Sequence, residues 1–398
     1  MKLWPELPII MHYGMSKPSS PEDEENLVTL LRKPGRISEI WLTITDSLSD
    51  RLAMEMRKAM PLLKTLRLMA QDAHEPLLPD EFLGGSAPHL SVISLYGVAF
   101  PALPKLLLST SNLTSLELCD IPISGYFSPE ALVVGLSEMT QLKSLIINFD
   151  FWMSHFHVNN SYSHPRGHTV LPALTNFKFS GDNEYLEAIV SRIDTPLLEL
   201  ADLRFFNRFA FEIPHLTHFI RRTSQLGLPN HIKIAMSGCG FSVALVHQTG
   251  TPHTSPVHLF LQITCRQFHS QMATVPPISY QLSPFFSGVK LLELYAFPPV
   301  ASGRDALDSA QWVELLRPFS GVEKLCVIDD LVLDIVRVLQ LATSEPDLEL
   351  FPVLRELSIG NSQEFTVALD SIAPFIAARG LSSGHPIVVS NWDTSIFN

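Results

Sequence analysis

The chain of 398 residues is short of the groups that catalysis, metal binding and membrane insertion need. It has four cysteines, Cys119, Cys239, Cys265 and Cys326, with no C-x-x-C pair among them. That spacing fits reduced, mostly buried thiols in a cytoplasmic or nuclear protein. No basic run exceeds the pair Arg221-Arg222 and the formal net charge is −12, which argues against nucleic acid and against an anionic membrane surface as partners. The longest helical apolar stretch, residues 331–342, carries Asp334 and Arg337, so no membrane span is expected. Pro5, Glu6 and Pro8 break the apolar residues after Lys2, so no signal peptide is expected either.

Catalytic motifs are missing too. Neither G-x-S-x-G, G-x-x-x-x-G-K-[ST] nor H-E-x-x-H occurs, and Ser237-Gly238-Cys239-Gly240 imitates the first without its strand-to-helix elbow. The pair Asp329-Asp330 reads as a helix cap rather than a catalytic dyad. His155, His157, His164 and His168 lie in the polar stretch 151–169 without cysteine company, which predicts an exposed contact loop and no metal. No cofactor is expected, and the chain is not expected to be an enzyme. A site in residues 227–284 is the alternative that would make it one.

What the chain does have is a recurring spacing. Leu113, Leu116 and Leu118 stand as apolar residue, two variable positions, apolar residue, one variable position, apolar residue. The same spacing returns at Ile37/Ile40/Leu42, Leu63/Leu66/Leu68, Leu90/Ile93/Leu95, Leu142/Leu145/Ile147, Leu174/Phe177/Phe179 and Leu200/Leu203/Phe205. It resumes at Val289/Leu292/Leu294, Val322/Leu325/Val327 and Leu354/Leu357/Ile359. On a short strand the last two residues of each triplet point inward and the position between them points outward, while the first fills the core from the preceding turn. One unit cannot bury its apolar face alone, so units must stack. Starts at 37, 63, 90, 113, 142, 174 and 200, and at 289, 322 and 354, leave room for a helix in each unit.

The spacing resembles a leucine-rich-repeat array. It implies an α/β solenoid, an irregular horseshoe with parallel strands on the concave face and helices outside. The irregularity follows from a missing asparagine ladder. Three residues after the last apolar position stand Gln71, Val98, Ile121, Asp150, Asp182, Arg208, Phe297, Asp330 and Ser362, so helix caps and tight turns must satisfy the backbone instead.

Residues 1–36 read as a leader with a capping helix, and 37–398 as the repeats. Ser20, Pro21 and the acids that follow predict a helix ending near Arg32, before Pro34-Gly35. Ser128-Pro129-Glu130 opens another, and Leu186/Ile189/Val190/Ile193 form one face of a helix beginning near Asp182. Trp312/Leu315/Leu316/Phe319 repeat that spacing, and Phe365/Leu369/Ile372/Ala373/Ile376 predict a last helix ended by Gly380. Residues 227–284 lack a clean repeat; two degenerate units are expected, with strands near 232–235 and 258–265.

The outward strand positions are the candidate binding surface. Between the last two apolar residues stand Trp41, Arg67, Ser94, Glu117, Ile146, Lys178, Arg204, Glu293, Cys326 and Ser358, and neighbouring outward positions add Tyr96, Phe206, Tyr295, Lys324 and Glu356. A row of aromatics, Arg and Glu suits a protein ligand. Lateral charge pairing on a solvated sheet is the alternative at each position. Arg204 and Phe206, with Lys178 on the strand before, form a basic–aromatic patch suited to an acidic or phosphorylated segment, unless Arg204 pairs with Asp202 or Glu184.

Several stretches go beyond generic repeats. They are Leu3-Trp4-Pro5-Glu6-Leu7-Pro8-Ile9-Ile10, Ser20-Pro21-Glu22-Asp23-Glu24-Glu25-Asn26, Gly125-Tyr126-Phe127-Ser128-Pro129-Glu130, Leu171-Pro172-Ala173-Leu174 and Arg192-Ile193-Asp194-Thr195-Pro196-Leu197. Phe205-Phe206-Asn207, Trp312-Val313-Glu314-Leu315-Leu316-Arg317-Pro318-Phe319 and residues 381–390 belong with them. Together they resemble the repeat region of the expanded F-box-like proteins of mushroom-forming fungi. The resemblance implies a substrate-binding module of a ubiquitin-ligase receptor, with a repeat adaptor unrelated to ubiquitination as the alternative. No F-box-like L-P-x-E-[IL]-L run precedes the repeats, and Leu3 to Ile10 is similar to the linker after the F-box. Substrate recognition therefore carries over, and binding of the ligase adaptor does not.

Overall fold

The apolar triplets place the strands. The computed structural model describes residues 7–14, 20–71, 75–149, 167–206, 212–223, 226, 229–237, 240–246, 257–264, 280–286, 288–296, 308–328, 331–344, 348–360, 365–383 and 386–391. It is a mixed α/β structure whose large sheet has 15 strands, is mostly parallel and does not close. By compactness the chain divides into two units, residues 1–201 with 218–225, and residues 202–217 with 226–398.

The first unit holds β1 (Ile9–Tyr13), β2 (Ile37–Ile44), β3 (Thr65–Ala70), β4 (Val92–Tyr96), β5 (Ser115–Ile121), β6 (Ser144–Phe149), β7 (Thr169–Val170), β8 (Asn176–Gly181), β9 (Ile193–Asp194) and the start of β10 (Leu200–Phe206). Strands β1 to β6 and then β8 lie side by side in chain order, each parallel to the next. Strands β7 and β9 pair separately. Helices make the crossovers that parallel pairing requires: α1 (Pro21–Leu31), α2 (Asp46–Glu55), α3 (Leu103–Leu107), α4 (Pro129–Leu136) and α5 (Asn183–Val190), with α6 (Pro214–Arg222) contributing its last turns. Side chains cap three of them as the sequence predicts. Ser20 accepts from the Asp23 N–H, Ser128 from Ala131 and Asp182 from Glu184.

Each inward side chain meets its counterparts on both neighbouring strands. Leu113, Leu116 and Leu118 are all buried, as are the three apolar residues of eight other predicted units. Burying one such side chain contributes roughly 1.5–3 kcal/mol. Aromatic residues close the core near α5, where Tyr185 sits edge-on to Phe149 at 4.9 Å and its hydroxyl donates to the Phe127 carbonyl at 3.1 Å.

The tenth unit slips by two residues. Leu198, Ala201 and Leu203 are buried while Leu200 is only half-buried, and the N–H groups of Glu199 and Leu200 both donate to the Thr175 carbonyl. The unit thus begins at Leu198. Both settings satisfy the apolar spacing, and a slip of two preserves which side chains face inward. Arg204 stays outward but moves one row along, and Asp202 takes the position expected for it.

The leader holds more than a capping helix. Ile9–Tyr13 is a strand parallel to β2, with its buried Ile9 and Met11 alternating with exposed Ile10 and His12. Gly14 ends it at φ +87, and a Cβ there would lie 2.6 Å from the Cβ of Thr43, so only glycine lets the chain turn away so close to β2.

The second unit holds the end of β10, then β11 (His231–Ser237), β12 (Gly240–Val246), β13 (Val257–Thr264), β14 (Leu291–Ala296), β15 (Lys324–Ile328), β16 (Glu356–Gly360) and β17 (Val388–Asn391). Its helices are α7 (Ser309–Leu316), α8 (Val332–Ser344) and α9 (Phe365–Ser383). Strands β14 to β17 continue the parallel pattern, and β11 pairs parallel with β14. The strands expected near 232–235 and 258–265 are present as β11 and β13, but two degenerate units in sequence do not fill residues 227–284. Strand β12 lies between β11 and β13, antiparallel to both. Only two residues separate Ser237 from its partner Gly240, too few for a parallel crossover and right for a hairpin.

Helix α9 also differs from expectation, running through Gly380 to Ser383. A helical glycine costs only about 1 kcal/mol, and burial of Ile372 and Phe375 on this helix outweighs it. No described helix is long and apolar enough to cross a membrane.

Candidate functional site

Register turns the outward positions of the first unit into a row. His12 stands opposite Trp41, Trp41 opposite Arg67, Arg67 opposite Ser94, Ser94 opposite Glu117, Glu117 opposite Ile146 and Ile146 opposite Lys178. The sequence placed Trp41, Arg67, Glu117 and Lys178 in this row but lacked His12, because β1 was not recognised. Trp41 stacks on His12 with ring centroids 4.8 Å apart, and the Arg67 guanidinium lies 4.6 Å over the indole. The three neighbouring strands thus present a His–Trp–Arg stack, with His12 and Arg67 exposed and Trp41 half-buried.

The adjoining row carries Met69 opposite Tyr96 and Tyr96 opposite Cys119. Met69 and Tyr96 are exposed. The Asp120 carboxylate near the Tyr96 hydroxyl pushes the phenol's pKa up, by favouring its protonated form and then by its charge. Asp120 reaches it because β5 slips register after Leu118 and Asp120 takes φ +49, a conformation that aspartate tolerates. The Asn148 amide approaches the same carboxylate at 3.4 Å. Cys119 has its pKa pushed up to about 11 by burial and then by the charges of Glu117 and Asp120, against the pull of Lys178, which leaves it a poor nucleophile.

Charges behave differently on the two units. Among the described residues, Arg67, Glu117 and Lys178 form no ion pair. On the second unit the outward charges are paired. Lys324 donates to Glu356 on the next strand at 2.6 Å, and Arg204 Nε and Nη2 both donate at 3.1 Å to Asp202, two residues back on its own strand, while the guanidinium lies 5.8 Å over Phe260. Arg204 is therefore occupied by the intramolecular pairing that the sequence left open. Lys178 belongs to the first unit and Arg204 to the second, and nothing is described of the Phe206 side chain.

Glu293 is not an exposed outward residue. It is 3% exposed, with His231 Nε2 at 3.0 Å from one oxygen and Lys233 Nζ at 3.1 Å from the other. These are ion-pair distances, and His231 Nε2 is without a hydrogen bond of good geometry. Burial pushes the Glu293 carboxyl up, but His231 and Lys233 beside it outweigh that and leave it below the ordinary value. Along the same row Cys326 and Ser358 are buried too, and Ser358 meets Ser390 at 2.9 Å. Burial drives the Cys326 thiol up to about 12, with Glu293 adding to the rise, while Lys324 and Ser358 oppose it. Tyr295 is half-buried, its phenol raised by burial and by Glu293.

Of the four loop histidines, His155, His157 and His164 lie outside the described residues, as do Cys239, Cys265 and Asp329-Asp330. His168 reaches Asp194 at 3.3 Å, beside the Arg222–Asp194 pair. Among the described residues no group of His, Cys, Asp or Glu is arranged to hold a metal ion. Helices α7 and α8 flank one open groove of about 630 Å³, lined by Ser309, Val313, Glu314, Arg317 and Leu341 among others.

No family model matches the chain, and no curated protein matches it significantly. The unit-one face must be understood from its own side chains.

Proposed function

We propose that the chain is a non-enzymatic recognition scaffold, a leucine-rich-repeat solenoid that presents the unit-one face to a protein ligand. The observation that carries this reading is the contrast in charge pairing. Opposite charges on neighbouring strands stabilise a sheet by pairing, as Lys324 and Glu356 do, whereas among the described residues Arg67, Glu117 and Lys178 have no such partner, and Arg67 stands beside Trp41 and Met69. Stacked aromatics, methionine and arginine are the side chains that dominate protein interfaces. The high thiol pKa values of Cys119 and Cys326 also favour binding over nucleophilic chemistry.

The resemblance to F-box-like repeat regions extends the proposal: the ligand is a substrate delivered to a ubiquitin ligase. Affinity capture from native extract, with Trp41→Ala/Arg67→Ala as the control bait, tests both parts. A protein retained by the wild type and lost by the folded double variant supports the face. Its ubiquitination in an extract where the scaffold is present, and not where it is removed, supports the ligase role. Identical capture by both baits would discard the face, and a captured but never ubiquitinated ligand would leave a repeat adaptor outside that pathway.

A further inference from the structure

We infer, resting on the recognition reading above, that the segment bound on the unit-one face is extended and carries charges of alternating sign, acidic, basic and acidic. The row supplies the complement. Arg67 on β3, Glu117 on β5 and Lys178 on β8 stand in one register line, with Ser94 on β4 and Ile146 on β6 in the gaps. Cation, anion and cation are therefore each two strands apart. At ~4.8 Å per strand the spacing is about 10 Å. A polyproline-II segment repeats its facing side chain every third residue, about 9 Å along, so an acid, a base and an acid three residues apart match the line.

The chemistry of each position agrees with this sign pattern. The Arg67 guanidinium carbon lies 4.6 Å over the Trp41 ring, a cation–π contact, and among the described residues its N–H groups meet no carboxylate. A planar guanidinium resting on an aromatic ring presents a fixed fork to a carboxylate and loses less freedom per hydrogen bond than a lysine would. Glu117 is half-buried with no cation bonded to it among the described residues, and a partner's lysine or arginine would supply one. The other acids of this face do not break the line. The Asn148 amide donates to Asp120, and Glu39 stands one row away, opposite Thr65. Met69 and Tyr96, exposed beside Arg67, offer an apolar shelf for an aliphatic side chain between the charged ones.

Synthetic proline-rich peptides of about ten residues test this, with Asp-Lys-Asp, Asp-Asp-Asp, Lys-Lys-Lys or Asn-Gln-Asn placed at every third position. The full chain should bind the alternating peptide about tenfold more tightly than the others, the scale of a few partly exposed ion pairs. Glu117→Lys, which makes the line uniformly cationic, should shift the preference to the all-acidic peptide. Glu117→Gln should reduce discrimination without reversing it. An all-acidic preference in the wild type, or one ranking shared by wild type and Glu117→Lys, overturns the alternating pattern. If binding in those cases is still lost in Trp41→Ala, the recognition face stands and only the pattern falls. If no peptide binds, and the captured protein ignores Trp41→Ala, face and pattern fall together.

Discussion

Leu116 shows what one side chain does in this architecture. It is fully buried on β5, flanked in register by Ile93 and Leu145, which are buried as well. Leu116→Ala should cost about 2–5 kcal/mol, because rigid strands on either side limit collapse of the cavity. Thermal or urea unfolding would measure it, and Leu116→Asp should leave no soluble folded protein, since a carboxylate there has no partner. Glu293 makes the opposite case, a buried charge that is partnered. Its carboxyl titrates below the ordinary 4.5 in the folded chain, so its contribution is present above that value and is lost as pH falls through the lower, folded-state value. The wild type should therefore lose stability on acidification more steeply than Glu293→Gln does. At neutral pH that variant should be destabilised by about 3–5 kcal/mol, because the buried Lys233–Glu293 ion pair is broken and His231 loses its carboxylate neighbour. Parallel acid titrations of the two proteins, followed by unfolding midpoint, would decide it.

Elements were legible in the sequence where two periodicities agreed. The triplet spacing placed ten strands, nine of them in correct register, because inward leucines and outward polar residues alternate on each. Caps were legible because Ser20, Ser128 and Asp182 precede prolines or acids. The capping box at α7 was not foreseen, yet Asp308 accepts from the Gln311 N–H at 2.8 Å while the Gln311 side chain accepts from the Asp308 N–H at 3.1 Å. Asp308→Ala should cost about 1 kcal/mol, readable as a small downward shift of the melting curve. Strands β1, β12 and β17 were missed for a common reason. Each is a single short alternating run without the preceding turn leucine that marks a repeat. The signal for β12 was present, since Ser237-Gly238-Cys239-Gly240 is glycine-rich turn chemistry between two alternating runs. The recognition face was half legible. Alternation identifies which residues face outward, but whether a charge is paired depends on the residue on the next strand. For Glu293 that neighbour belongs to a strand sixty residues earlier in the chain.

At the scale of the whole molecule, the absence of metal-holding geometry among the described residues leads to a simple expectation. Chelator should not move the melting temperature, and a fall that zinc restores would assign the histidines of residues 151–166 a role. The inserted hairpin has a different kind of consequence, in the order of assembly. In the first unit each strand finds its neighbour within one crossover, as residue 92 finds residue 115, so pairing can spread by short steps. In the second, β11 must find β14 across the intervening β12 and β13, with His231 meeting Leu291. Closing that longer loop costs only about 1 kcal/mol more by chain entropy, but the contact is non-local and forms late in folding. Meanwhile β11, β12 and β13 can zip antiparallel by themselves. Pulse-labelled hydrogen exchange during refolding should therefore protect β4 and β5 before β14, leaving the edge of β11 that β14 will cover open to another chain.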